Sequence, residues 1–419
     1  MPTRPALSER TLVFLVGAVQ FVNILDFVIV MPLGPDFAAA LGIPTSHIGV
    51  IGGSYTAAAA VAGLVGSLFL DRFDRRSALG VAMLGLMVGT AAGGFATGLW
   101  SLLGARIFAG AFGGPATSIA LAMIADTVPL ERRGKAMGAV MGAFAAASVL
   151  GVPAGLELAR LISWRAPFFA VAALSLLVTS GVLFRLPPML SHRVRATERR
   201  GERRVPLLDS LTLRSLSGTA LISLGVFAIV PNLSTYVQHN LGYPREHLGV
   251  LYMVGGVASF IATRVAGTLV DRYGATLLVT LGTTLFAGTC VWGFVWTGAP
   301  VPVLPFFVLF MLSGSVRNVP LQTLASRVPR QEQRARFMSA QSATQHMASA
   351  TGASVSSLFL TAAPDGKLID MDRIALAAAA VALVVPWVAR SVERHVRARE
   401  LSVASAGAAK SPPVSVPTS

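Results

Sequence analysis

Residues 41–76 read LGIPTSHIGVIGGSYTAAAAVAGLVGSLFLDRFDRR. The pattern returns without a gap at residues 241–276, as LGYPREHLGVLYMVGGVASFIATRVAGTLVDRYGAT. Eleven of the thirty-six positions are identical, among them Leu41/Leu241, Gly42/Gly242, Pro44/Pro244, His47/His247, Gly49/Gly249, Asp71/Asp271 and Arg72/Arg272. Shared apolar composition would match alanines and valines, but it would not also align proline, histidine and an Asp-Arg pair. Each copy holds a turn, an apolar run and an Asp-Arg at its far end. A hydrocarbon layer about 30 Å thick takes about twenty helical residues to cross, so each copy reads as one spanning helix of a duplicated membrane bundle.

The rest of the composition agrees. The chain has 419 residues, of which 54% are hydrophobic and 13% charged, and its mean hydropathy is +0.68. Such a chain is not soluble. Helices are expected because backbone polar groups in lipid must be satisfied within their own segment. The first apolar stretch, residues 12–33, is too long for a signal-peptide core and lacks a cleavage site. The single cysteine, Cys290, allows no intrachain disulfide.

Apolar segments fall at about 11–33, 47–70, 77–98, 101–125, 135–158, 166–186, 215–238, 247–270, 276–297, 302–325, 337–361 and 373–390. The expectation is an all-α membrane protein with twelve transmembrane helices. It divides into a first six-helix bundle over 1–185, a linker loop over 186–214, a second six-helix bundle over 215–392 and a disordered tail over 393–419. With the N-terminus inside, 26 of the 34 Lys and Arg lie on the termini and even-numbered connections, and five on the opposite side. The other three, Arg106, Arg264 and Arg317, lie within spans. By the positive-inside rule both termini are cytoplasmic. The net charge of +15 is thus a topology signal, and no nucleic-acid partner is expected.

Two six-helix halves, a long basic middle loop and Asp-Arg after the second and eighth spans resemble the major facilitator superfamily. The likeness covers roughly residues 11–390. That family's loop signature is G-x-L-x-D-R-x-G-R-[RK]. Asp71, Arg72, Arg75 and Arg76 match it, while Ser67 and Asp74 stand where its glycines are expected. The second copy has Gly267, Asp271, Arg272 and Gly274, with Ala275 in place of the arginine. The resemblance implies that Asp71 faces the start of the eleventh helix and that these loops gate one side of the bundle.

The repeat supports one inference directly. Asp126 corresponds to Ser326 and Arg75 to Ala275, so the second half lacks both members of what would be an ion pair in the first. Joint absence is what a coupled pair requires. Two unrelated surface exchanges would look the same.

Asp26 is the one acidic residue well inside a span. An intramembrane charge costs about 2.5–3.5 kcal/mol and marks function by default. Gln20 and Asn23 precede it at three-residue steps, which gives the first helix a polar face. Arg106 enters the fourth span with Gly110 four residues on, similar to the family's R-x-x-x-G motif. Both charges lie roughly 8–10 Å deep at 1.5 Å per residue. Either they form a permanent structural pair, or the carboxylate exchanges a proton under the control of Arg106. His346 is a second candidate for proton coupling.

On the fifth helix Gly142, Gly151, Pro153 and Gly155 allow close packing and a bend. They are similar to an antiporter motif and to the arabinose-efflux-like branch of drug and sugar exporters. Gln20, Asn23, Phe27, Tyr55, Asn232, Tyr236, Arg317, Asn318, Gln341 and Gln345 are the candidate cavity residues.

No phosphate-binding loop, metal-ligand cluster or nucleophile–base arrangement is present, so no cofactor, metal or enzymatic activity is expected. The expectation is a monomeric secondary transporter of the bacterial inner membrane. It would export a small organic compound such as a drug, sugar or metabolite in exchange for protons, by alternating access. A proton-coupled importer, a facilitator, or a membrane sensor or scaffold without transport remain open at this point.

Overall fold

The computed structural model describes residues 8–189, 209–296, 300–329 and 334–408. The first copy of the repeat contains α1 (Glu9–Ile29), the short α2 (Gly34–Leu41), α3 (Ile48–Phe69), α4 (Arg75–Gly94) and α5 (Leu99–Thr127). Next come α6 (Leu130–Ala146), a π-turn at Ala147–Gly151, α7 (Val152–Leu161) and α8 (Ala166–Arg185). The second copy contains α9 (Ser210–Thr235), α10 (Leu248–Tyr273), α11 (Ala275–Cys290), α12 (Val303–Ser326), α13 (Arg334–Phe359) and α14 (Met371–Ala408). A two-residue antiparallel hairpin, β1 (Thr361–Ala362) with β2 (Leu368–Ile369), joins the last two.

Ten helices among the described residues are long and apolar enough to cross a membrane. Of the other two expected segments, the fifth lies only partly within the described side chains. It carries Pro153, whose nitrogen has no hydrogen to give the carbonyl four residues back. The turn before it widens instead, and the Val152 amide bonds to Ala147 O. The eleventh, α13, is long enough but carries Gln341, Gln345, His346 and several serines.

Large apolar side chains point outward along the helices, including Phe14, Val81, Leu177, Leu281 and Leu383. A soluble surface avoids such continuous display. Inside, α3 packs on α5, α4 on α5 and α8, and α1 on α5, α6 and α8. In the second copy α9 packs on α13 and α14, α11 on α12 and α14, and α10 on α12.

The two copies meet where small residues admit backbone. A Cβ on Gly49 would lie 2.3 Å from Ala353 O, and one on Gly256 would lie 3.0 Å from Ser148 O. Both contacts are at the end of the molecule that carries Asp36. Towards the other end, Gly63, Gly138, Gly142 and Gly267 face open space. The two copies are therefore in close backbone contact at the Asp36 end.

One boundary is corrected. The last helix does not stop at 392 but runs to Ala408, through residues expected to be a disordered tail. Residues 393–400 read ERHVRARE, with Glu393 and Arg397 one helical turn apart. Arg397 and Glu393, four apart, bond at 2.6 Å, and Glu393 also accepts from the Thr276 amide at 2.9 Å. Most of the linker, 190–208, and the terminal 409–419 lie outside the described residues.

Candidate functional site

Asp26 sits in the last turn of α1, where carbonyls lack intrahelical partners. Arg106, from the first half of α5, serves that turn twice. Its Nη1 donates to Oδ1 and Oδ2 of Asp26, each at 3.1 Å, and its Nη2 donates to the Asp26 carbonyl oxygen at 3.1 Å. A cation there also complements the helix dipole. Both side chains are 1% exposed. In such surroundings removal of one partner costs about 3–5 kcal/mol, because the other is left as a buried unpaired charge.

Two further helices complete the cluster. Thr90 Oγ1 on α4 lies 2.7 Å from Asp26 Oδ1. Tyr55 on α3 lies beneath Arg106, whose guanidinium carbon is 4.5 Å from the ring centroid. The Tyr55 hydroxyl donates to Asn23 Oδ1 at 2.6 Å, and Asn23 Nδ2 donates to Gly113 O at 2.7 Å and Thr117 Oγ1 at 2.6 Å. The polar face anticipated on α1 is thus a bonded network over four helices.

Glycines on α5 make this possible. A Cβ on Gly110 would lie 2.2 Å from Tyr55 O, and one on Gly113 would lie 2.2 Å from the Tyr55 hydroxyl. On the opposite side of α1, Gly151 and Gly155 admit Leu25 and Ile29, with Cβ distances of 2.7 and 2.5 Å.

The candidate cavity residues divide. Phe27, Gln345 and His346 are half-buried and Asn318 is exposed, so these four reach open space. Phe27 stacks on Tyr55 at 5.5 Å and on Phe227 of α9 at 5.8 Å. The others are enclosed. Gln20 is buried, with no partner for its Oε1 among the described residues. Asn232 donates to Ser356 Oγ at 3.3 Å, and Gln341 donates to Gln322 Oε1 at 3.1 Å. Tyr236 turns its hydroxyl towards the widened turn Val291–Val295 that follows α11, donating to the carbonyl of Gly293 at 2.8 Å. Arg317 is fully buried, its guanidinium carbon 4.1 Å from the ring centroid of Phe286 on α11. Tyr236 and Arg317 were expected to line the cavity; they pack within the second copy instead.

At the Asp74 end, Arg75 Nε donates to Asp126 Oδ2 at 3.3 Å. The pair inferred from its joint absence in the second copy is therefore in contact. Arg76 donates to the carbonyl of Leu183, Arg272 is exposed, and Asp271 lies 3.9 Å from Arg327. The side chain of Asp71 lies outside the described residues. Asp74, found where the loop signature has glycine, caps α4 by accepting from the Ser77 amide at 3.1 Å, and it also accepts from the amide of Met189. Burial alone would raise the Asp74 carboxyl, but these hydrogen bonds outweigh it and hold the group below its ordinary range.

Sequence reasoning missed three polar contacts. Thr90 carried no signal, because a threonine in an apolar helix usually bonds its own preceding turn. Arg245 and Asp36, and the bond from Ser234 to Pro32 O at 3.0 Å, join residues about two hundred apart with no marker in either segment.

The profile of the Major Facilitator Superfamily matches residues 16–353. A chloramphenicol resistance protein of Streptomyces lividans is 29% identical over 300 residues, covering 71% of this chain and 75% of its own. Among solved structures, a D-xylose–proton symporter superposes with a TM-score of 0.69 at 19% identity, over 90% of this chain and 96% of its own. A bacterial homologue of the lysosomal transporter Spinster gives 0.69 at 13% identity, over 94% and 98%.

Proposed function

Because the chain belongs to the Major Facilitator Superfamily, a family of multi-pass membrane transporters, we propose that this secondary transporter exports a small organic compound in exchange for protons. The observation that carries the reading is the enclosed Asp26–Arg106 pair with Thr90 on the same carboxylate. An acid held inside a membrane domain by a movable guanidinium can bind a proton when the two part and release it when they rejoin. Similarity to a chloramphenicol resistance protein favours export, since resistance follows from removing a compound.

The architecture behind this reading is twelve spans in two six-helix bundles, residues 1–185 and 215–408, joined by the 186–214 linker. Both termini lie in the cytoplasm of a bacterial cell. The Asp36 end is then extracellular and closed, and the Asp74 end is cytoplasmic and open. Asp71, Arg72, Arg75, Arg76, Asp126, Asp271 and Arg272 gate the open end. Gly142, Gly151, Pro153 and Gly155 let the fifth span bend. Phe27, Asn318 and Gln345 face the substrate, with His346 beside them as a second proton-binding group. A binding position between the bundles near the midplane follows from alternating access.

The test is transport by the purified protein in liposomes, screened over varied small organic compounds, with internal and external pH recorded. Export predicts substrate movement against an opposing proton flux, and loss of that coupling in Asp26→Asn. Flux of both in the same direction would mean an importer. Substrate flux without proton movement would mean a facilitator, and undiminished coupling in Asp26→Asn would remove this carboxylate from the mechanism.

A further inference from the structure

Thr90 is 1% exposed, and its Oγ1 lies 2.7 Å from Asp26 Oδ1 and 2.8 Å from the carbonyl oxygen of Leu86 one turn earlier. A hydroxyl has one hydrogen to donate and two lone pairs. When Asp26 is ionised both neighbours are acceptors, and the single hydrogen serves the carboxylate, because a bond to a charged acceptor is about twice as strong as a neutral one. The Leu86 carbonyl loses little, since it also accepts within the helix. When Asp26 holds a proton the order can reverse. The carboxylic O–H donates to Thr90 Oγ1, and the threonine hydrogen turns to Leu86 O.

The internal repeat supplies an independent argument. At the two-hundred-residue offset, Asp26, Thr90 and Arg106 correspond to Val226, Cys290 and Phe306. Phe306 lies instead against Gly293 and Phe294. All three polar members are exchanged together. The second copy thus lacks the hydroxyl as well as the ion pair.

We propose that Thr90 is a positioning residue for Asp26, a hydroxyl with two settings that stabilises the ionised carboxylate in one and the protonated acid in the other. This rests on the reading that Asp26 exchanges protons. Thr90 itself gains and loses none, and only the direction of its O–H bond changes. The proton exchanged is carried on Asp26 and is taken from, and returned to, the aqueous sides. The other ionisable groups facing Asp26 are Arg106 from α5 and Tyr55 from α3. No titratable side chain of α6, α7 or α8 contacts it among the described residues.

The experiment needs no knowledge of the substrate. Full-length protein is purified, and the C=O stretching band of buried carboxylic acid is followed by infrared difference spectroscopy as pH is varied. Asp26→Asn should delete one titrating band. In Thr90→Val that band should persist at altered frequency, with its pH midpoint about one unit higher, a tenfold change in the proton-binding constant. Thr90→Ser should restore both properties. If Thr90→Val does not fold, Thr90→Ala removes the same donor and is read the same way. A band and midpoint unmoved by loss of the hydroxyl would overturn the proposal while leaving proton exchange at Asp26 intact. If Asp26→Asn deletes no titrating band, Asp26 does not exchange protons, and both readings fall together.

Discussion

Arg245 holds Asp36 across the two copies of the repeat. Its Nε donates to Asp36 Oδ1 at 2.7 Å and to Oδ2 at 3.0 Å, while its Nη2 donates to Asp36 Oδ2 at 2.5 Å and to Leu156 O at 3.3 Å. One guanidinium thus joins the segment before α10 to α2 and to α7. The two side chains are 24% and 23% exposed, so this is neither a free surface pair nor a sealed one.

Loss of this contact should favour conformations open at the Asp36 end. A bond to a charged group contributes about 1.5–3 kcal/mol, and about 1.4 kcal/mol is tenfold in an equilibrium. Arg245→Gln and Asp36→Asn should each raise, by about tenfold, the labelling rate of a cysteine placed by Ser234→Cys in a Cys290→Ala background. A membrane-impermeant maleimide applied from outside reads that rate. No change in either variant would mean that this contact does not hold the end closed.

Gly110→Ala should destabilise the protein by about 1–3 kcal/mol, the usual cost of overpacking. Its Cβ would lie 2.2 Å from the backbone oxygen of Tyr55, which cannot move without separating α3 from α5. Gly104→Ala, on the same helix with nothing within 4 Å, is the control. It should be neutral or gain up to about 1 kcal/mol from helix propensity. Thermal unfolding of the purified variants distinguishes the two sites.

Asp74→Ala should cost about 0.5–2 kcal/mol at neutral pH, the range for a lost helix cap. The Asp74 carboxyl is held below its ordinary range, so its contribution is present above the unfolded value and disappears as pH falls through the folded one. The difference in unfolding temperature between wild type and Asp74→Ala should therefore narrow on acidification. A constant gap from neutral to acid pH would refute the capping account.

Arg75 and Asp126 should be coupled, though weakly. The side chains are 11% and 24% exposed, and partly exposed pairs contribute about 0.2–1 kcal/mol. In a double-mutant cycle with Arg75→Gln and Asp126→Asn, the double variant should be less destabilised than the two single losses added together. Simple additivity would return the joint absence in the second copy to coincidence.

Much of this was legible in the chain, for identifiable reasons. Spans announce themselves because lipid demands long apolar helices, and the two charges at matched depth on α1 and α5 had little else to meet. Arg75 and Asp126 were found because a duplicated chain acts as its own comparison. What stayed hidden depended on direction. Tyr236 lies on a polar stripe with Asn232, but the widened turn at Tyr236–Asn240 carries its hydroxyl towards the turn that follows α11. Composition alone suggested an unfolded end beyond 392, whereas the carboxylate of Glu393, placed on the start of α11, gives that segment a partner to fold against.

Phe27 and Phe227 are equivalent positions of the two repeats, and their rings lie 5.8 Å apart. When counterparts of a twofold-related pair touch each other, their contact straddles the rotation axis. In the proposed transport cycle, a substrate that reaches this seam meets the same side chain from both repeats. Separation of the two rings would then uncover the same surface on each at one moment.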